Sequence, residues 1–291
     1  MKLNKNKFAF SLIELSITIL IIGLLVAGII KGTSLYQKIQ LTSAQNITSN
    51  SPVNRTKDLK MWLETSLKSS FVAGIKDGNQ VSTWLDQKLD VQNKINPTQN
   101  TTGNRPIYQE NYYNGIPSVK FDGANDFLPY NANFLVGSDY TIFVVDIRNS
   151  NKNGNYFLGG TSSSGPNQNL VLGYRFSNTL TQAHYTNDMN LTPSPTISIN
   201  KPYIHVISFS KTSGKLYRFY QNGYSSTGSA PAQTAALTSY TNASIGRYKD
   251  ISDFYSGHIL ELIMFSRTLK NSERVAIEDY LGQKYSIKIN R

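Results

Sequence analysis

Residues 10–30 form an apolar run that follows Lys2, Lys5 and Lys7 and is broken by one acid, Glu14. About 20 such residues at ~1.5 Å rise cross the ~30 Å hydrocarbon core of a bilayer, so the run predicts a membrane-spanning helix. A conventional secretory signal has a shorter apolar region, ~7–15 residues, and ends in a small-residue cleavage motif. The far end here, LLVAGIIKGTSLYQ, has no such motif. Three lysines before the run, against Lys31 and Lys38 after it, place the N-terminus in the cytoplasm and the rest of the chain across the membrane. The spacing of Leu35, Tyr36 and Ile39 carries the helix to about Gln45. Polar turn formers over 46–57 then read as a linker.

Beyond the linker the periodicity changes. Short segments rich in Val, Ile, Tyr and Phe alternate with Gly, Asn, Asp and Ser clusters, the pattern of antiparallel strands and turns. The clearest strands are 59–63, 81–85, 116–121, 140–147, 169–176, 203–209, 216–221 and 258–265. Segment 203–209 is apolar on both alternating sets, as expected of a strand covered on two faces. QNGY at 221–224 and FDGAND at 121–126 carry the Asn-Gly and Asp-Gly pairs of tight hairpins. Near the C-terminus, Asn271 is a candidate cap, Glu273 lies in a first turn and Lys284 in a last turn. Ile277, Tyr280, Leu281 and Tyr285 share one helical face. The fold class expected is mainly β: a membrane-spanning helix, an antiparallel jelly-roll sandwich over 58–291 and a short C-terminal helix.

Composition changes this picture little. With no cysteine, disulfides and thiolate metal sites are excluded, and stability must come from a core. The formal charge is +11, and loss of Lys2, Lys5 and Lys7 would take it from +11 to +8. The basic residues are spread singly, so no specific nucleic-acid site is expected. Glu14 matters more, because an ionised carboxylate in lipid costs at least ~2.5 kcal/mol and marks a functional position.

The words KNKFAFSLIELSITILIIGLLVAG resemble the N-terminus of type IV prepilins and type II secretion pseudopilins. The resemblance implies a leader of residues 1–9 cut by a prepilin peptidase between Ala9 and Phe10, N-methylation of Phe10 and an assembly helix over 10–45. It also gives Glu14 a role, pairing with the N-terminal amine of a neighbouring pilin-like subunit and so setting filament register. Two departures stand out: Ala9 replaces the preferred Gly, and the helix has no Pro, offering Gly23, Gly28 and Gly32 instead.

LKMWLE, DGNQVSTWLDQ, NRPIY, NGIPSVKFDGANDFL and GHILELIMFSRTLKNSERVAIEDYLGQKY, in that order, resemble the concanavalin A-like lectin/glucanase superfamily in its laminin-G-like form. That implies a sandwich but no activity. No strand carries the closely spaced acids of a glucanase, Glu261 standing alone in HILELIMF and Asp250 with Asp253 in a turn, so no catalytic residues are expected. The resemblance allows a calcium ion, with Asp122, Asn125 and Asp126 as candidate ligands, although a turn needs the same residue types for its own geometry. His184, His205 and His258 show no ligand spacing, and Trp62 and Trp84 read as core. Tyr112 and Tyr113 are candidates for ligand contact. The reading is a minor pilin or pseudopilin in the bacterial inner membrane, or extracellular when assembled. Its periplasmic sandwich would be displayed to a surface, glycan or cargo. The alternatives are a structural subunit without a ligand and a membrane-tethered glycan hydrolase.

Overall fold

The structure, a computed structural model, describes residues 12–160, 165–185, 188–192, 196–211, 216–226, 235–248 and 252–291. Helix α1 (Leu12–Ser49) is uninterrupted over 38 residues, a rod of about 57 Å. Large apolar side chains from Leu12 to Ile29 are exposed along it. Among the described residues it is the one helix long and apolar enough to cross a membrane, as an anchor or a signal sequence would be.

The segment expected as a linker is instead part of the folded body. α1 runs to Ser49, a 3-10 turn follows at Val53–Arg55, and Ala44, Thr48, Ser51 and Val53 are buried. Polar composition does not end the helix, because this stretch is docked on the sandwich through buried Ala44 and Thr48 and the Gln45 bond to Ser66, while Thr48 and Ser49 satisfy their hydroxyls on the carbonyls of Ala44 and Gln45.

The strands are β1 (Leu59–Glu64), β2 (Ile107–Tyr113), β3 (Ile116–Asp122), β4 (Leu128–Tyr130), β5 (Tyr140–Arg148), β6 (Asn155–Gly160) and β7 (Val171–Phe176). They continue with β8 (Thr179–Ala183), β9 (Asp188–Leu191), β10 (Tyr203–Ser210), β11 (Leu216–Gln221), β12 (Tyr224–Ser226), β13 (Ala243–Ile245) and β14 (Ser256–Phe265), before helix α2 (Asn271–Tyr285). Among the described residues one antiparallel sheet has the order β12-β11-β10-β5-β14-β3-β2, with β1 also on β14, and the other β4-β13-β6-β7-β8-β9. One edge of β14 serves two partners, β3 along Ser256 to Ile259 and β1 along Glu261 to Phe265. A bulge between Ile259 and Glu261 separates the two stretches.

The first sheet is covered on both faces. Ile142, Val144, Ile207, Phe209, Leu262 and Met264 point into the sandwich with Trp84, Phe121, Phe157 and Leu172. Phe143, Val145, Ile204, Val206 and Ile263 point outward, under Ala44 of α1, Val53 and the α2 stripe of Ile277, Tyr280, Leu281 and Tyr285. The double cover expected of 203–209 is thus explained by the two helices.

Three local expectations are corrected. Residues 81–85 are not a strand, because the N–H groups of Val81, Trp84 and Leu85 go to three different segments, at Pro106, Pro97 and Ser70, so no ladder forms. Asp122–Gly123 does not close a hairpin; it carries the chain from β3 in one sheet to β4 in the other. Lys270 rather than Asn271 precedes the first turn of α2. Its N–H donates to Glu273 at 2.9 Å, while Asn271, already helical, accepts from Arg274 at 2.6 Å. The Asn222–Gly223 turn between β11 and β12 forms as expected, both residues having positive φ. A second Asn-Gly pair, Asn114–Gly115, closes β2 onto β3.

Candidate functional site

Glu14 lies in the first turn of α1, on the exposed apolar part of the rod. Ala9 and Phe10, with the cut expected between them, lie outside the described residues. What the structure adds is how the far end of this helix is held.

Glu261, just past the β14 bulge, faces the two helices rather than solvent, and Glu64 of β1 lies directly opposite it. Both are buried, and Lys284 of α2 reaches between them, its Nζ 2.9 Å from Glu64 Oε2 and 2.8 Å from Glu261 Oε2. Glu261 also accepts from Trp62 Nε1 at 2.7 Å, Tyr280 at 2.8 Å and Tyr285 at 2.9 Å. Glu64 accepts the N–H groups of Ser66 and Leu67, each at 2.8 Å, and the hydroxyls of Ser66 and Ser70. Every carboxylate oxygen is therefore used. Burial pushes the Glu64 carboxyl up, but the Lys284 charge and the hydroxyl hydrogen bonds outweigh it and leave it below the ordinary carboxylate range. Lys284 is correspondingly raised, burial opposing and the two acids favouring its charge.

This hub reaches α1 through Ser66, whose carbonyl accepts Gln45 Nε2 at 2.9 Å and whose hydroxyl lies 3.2 Å from Thr48 Oγ1. Paired carboxylates facing one another suggest a glycosidase, but these are sealed from substrate and neutralised by an ammonium, so the arrangement does the work of a clamp. In the sequence Glu261 stands alone in its strand and Lys284 reads as a helix-end charge. The missed signal is spacing: Lys284 follows Ile277 by seven residues and Leu281 by three, which puts it on the buried stripe.

A second buried network lies between the sheets. Asp146 accepts from Tyr255 at 2.7 Å and Tyr174 at 2.9 Å, with His205 Nε2 at 2.9 Å and Arg148 4.5 Å from the Tyr174 ring. His184 is pushed down to about 4 by burial, and sits against Tyr140 and the Ala235 carbonyl. His258 is pushed down to about 3, by burial and then by Lys120. The three histidines are thus far apart in role, and no metal-binding group of side chains occurs among the described residues.

Asp122, Asn125 and Asp126 do come together, in the turn after β3. Asp122 Oδ1 accepts the N–H groups of Ala124 at 2.8 Å, Asn125 at 3.1 Å and Asp126 at 3.3 Å, while Asp126 Oδ2 accepts that of Asp122 at 3.0 Å. Burial, then the Asp122 charge, pushes Asp126 up to about 7. Lys152 donates to the Gly123 carbonyl at 2.7 Å, which brings an ammonium into the same turn. These contacts are the ones the turn needs for its own backbone geometry, and Lys152 supplies a cation to the same turn.

Tyr112 stacks on His258 with centroids 3.5 Å apart. Tyr113 is half-buried beside the outer core layer, so neither ring stands free as a platform. A cleft of about 420 Å³ lies between α1 and the sandwich, lined by Leu41, Leu67, Lys68, Phe71, Tyr108 and Glu110 among others.

No protein-family model matches the sequence, nor does any curated protein. In fold, the chain is similar to a sialidase of Trypanosoma rangeli, with a TM-score of 0.51 and 15% identity over 81% of this chain and 34% of that one. It is also similar to the binding domain of botulinum neurotoxin serotype D, with a TM-score of 0.52 and 14% identity over 79% of this chain and 52% of that one. The match therefore spans about a third of the sialidase and half of the toxin domain, and the likeness is one of fold.

Proposed function

We propose that this chain is a pilin-like filament subunit, of minor pilin or pseudopilin type, that displays a lectin-like sandwich for contact with a glycan, a surface or a secreted cargo. The observation that carries the reading is α1 itself: one helix whose first part is bare and apolar, with Glu14 in its first turn, and whose last part is clamped into the sandwich. Gly28 and Gly32, four residues apart on the exposed helix, carry no side chain that would hold off a neighbouring helix. The botulinum domain is by its name a binding domain, which supports a binding rather than a catalytic use of the sandwich. In this reading the bilayer, a prepilin peptidase and other pilin-like subunits are the partners, and no cofactor is required.

The test is Glu14→Ala. The variant is expected to remain in the membrane fraction but to be absent from sheared filaments, and mass spectrometry of the mature chain to begin at N-methylated Phe10. Normal assembly of the variant would remove the register role, and an intact Met1 would remove the prepilin reading.

A further inference from the structure

Residues 86–96 form a loop that the protein holds rigidly while turning its apolar residues outward. Asp86 anchors the base, its Oδ1 accepting the N–H groups of Trp62 at 3.0 Å and Lys88 at 2.9 Å, and its Oδ2 that of Ile95 at 3.0 Å. Asn96 accepts the Asp86 N–H at 2.8 Å. Lys88 folds inward, and its buried ammonium donates to the Asn93 carbonyl at 2.7 Å and the Lys60 carbonyl at 3.4 Å. Asn93 in turn donates to Asp90 at 2.8 Å. On this frame Leu89 and Val91 are each 75% exposed.

Burying an acid and an ammonium to fix a loop, while leaving two aliphatic side chains in water, contributes nothing to the core. It does preorganise a contact, because the ordering entropy is spent before a partner arrives. Three exposed basic residues lie on the same two tied segments as the apolar pair. Lys94 is exposed on the loop, and Arg55 and Lys57 are exposed on the segment that Asn54 ties to it, through the Leu89 N–H at 3.1 Å and the Gln87 carbonyl at 3.3 Å. Against these stands Asp90, while Asp58 is taken by Arg267 at 3.2 Å. That segment follows the end of α1 remote from the apolar run, so the loop is not placed to reach the bilayer that the run would enter.

We infer that the Leu89–Val91 loop is a docking tip for an anionic lipid surface other than the chain's own anchoring bilayer. The two aliphatic side chains would enter the headgroup boundary, and Arg55, Lys57 and Lys94 would meet lipid phosphates. Apolar insertion flanked by lysine and arginine is the chemistry by which peripheral segments hold anionic membranes. The inference is independent of the filament reading, since it concerns the opposite end of the rod.

The test uses the full chain in nanodiscs of neutral lipid, floated with vesicles of phosphatidylcholine alone or mixed with phosphatidylglycerol, with empty nanodiscs as the control. Binding to the anionic vesicles is expected, weakened at least ~30-fold by Leu89→Ser with Val91→Ser. Lys94→Glu is expected to weaken it and to flatten its salt dependence. The altered side chains are exposed, so thermal melts of the variants should match the parent. Absence of vesicle binding, or equal binding to neutral vesicles, would overturn the inference and leave the apolar pair to a protein partner. Undiminished binding of the serine double variant would overturn it too, by reducing the contact to charge alone.

Discussion

At the scale of single residues, Lys284 is the side chain on which most depends. It lies between two buried carboxylates, and removing one member of such a group costs about 3–5 kcal/mol because the remaining charge is left uncompensated. Lys284→Met should therefore lower the urea midpoint sharply near neutral pH. The pH dependence gives a sharper test. In the parent, Glu64 is held below its ordinary value, so its contribution is present above the carboxylate range and is lost as pH falls through the folded value. In the variant the lysine is gone and burial dominates, so Glu64 is raised, and stability is best in acid and falls as pH rises. The gap between parent and variant should narrow from neutral pH to about pH 4. A gap that stays constant would mean the carboxylates are not neutralised by Lys284. Residue by residue, legibility followed locality. Trp62 and Trp84 were readable as core, while the Glu64–Glu261 pair, brought together by β1 and β14 from opposite ends of the chain, was not.

At the scale of elements, the β2–β3 hairpin was legible only in part: the composition of 116–121 announces β3, whereas 107–113, with Gln109, Glu110 and Asn111 at its centre, does not announce β2. Its strands carry aromatic and β-branched residues, and Asn114–Gly115 has the positive φ values of a tight turn. What no pattern reveals is that the turn is pressed against α1: a Cβ on Gly115 would lie 2.6 Å from the Gln37 carbonyl oxygen. Gly115→Ala should therefore cost more than the ~1 kcal/mol of placing Ala at positive φ, about 2–3 kcal/mol in all, read by chemical denaturation. A cost no greater than the backbone penalty would mean that the hairpin and helix give way freely. The same logic separates the strands found from those missed. Long, doubly covered β5, β10 and β14 announce themselves by composition, whereas β4, β12 and β13 are three residues each and exist because a neighbouring strand offers them a ladder. Segment 81–85 errs the other way: its residues are buried as a strand's would be, but its N–H groups are dispersed.

At the scale of the whole molecule, the rod and the sandwich are one body. Ala44, Thr48 and Val53 are buried against the first sheet and α2, and Gln45 bonds Ser66 in the turn that follows Glu64. The sandwich consequently has a fixed attitude on the helix, and whatever it presents is presented at a set angle to the apolar run. A fragment beginning at Lys57, the last residue before the expected start of the sandwich, would lose all of these contacts. Burial of Val53 alone is worth about 1.5–3 kcal/mol, and the severed hydrogen bonds about 1 kcal/mol each, a large part of a net stability that is typically 5–15 kcal/mol. A fragment beginning at Gly32 keeps the docked turns and sheds the apolar run. It is expected to unfold cooperatively, whereas the Lys57 fragment should unfold at a clearly lower urea concentration or bind a hydrophobic dye when native. Equal midpoints would mean that α1 merely rests on the sandwich. The set angle, and with it any directional display from a filament, would then have to come from neighbouring subunits.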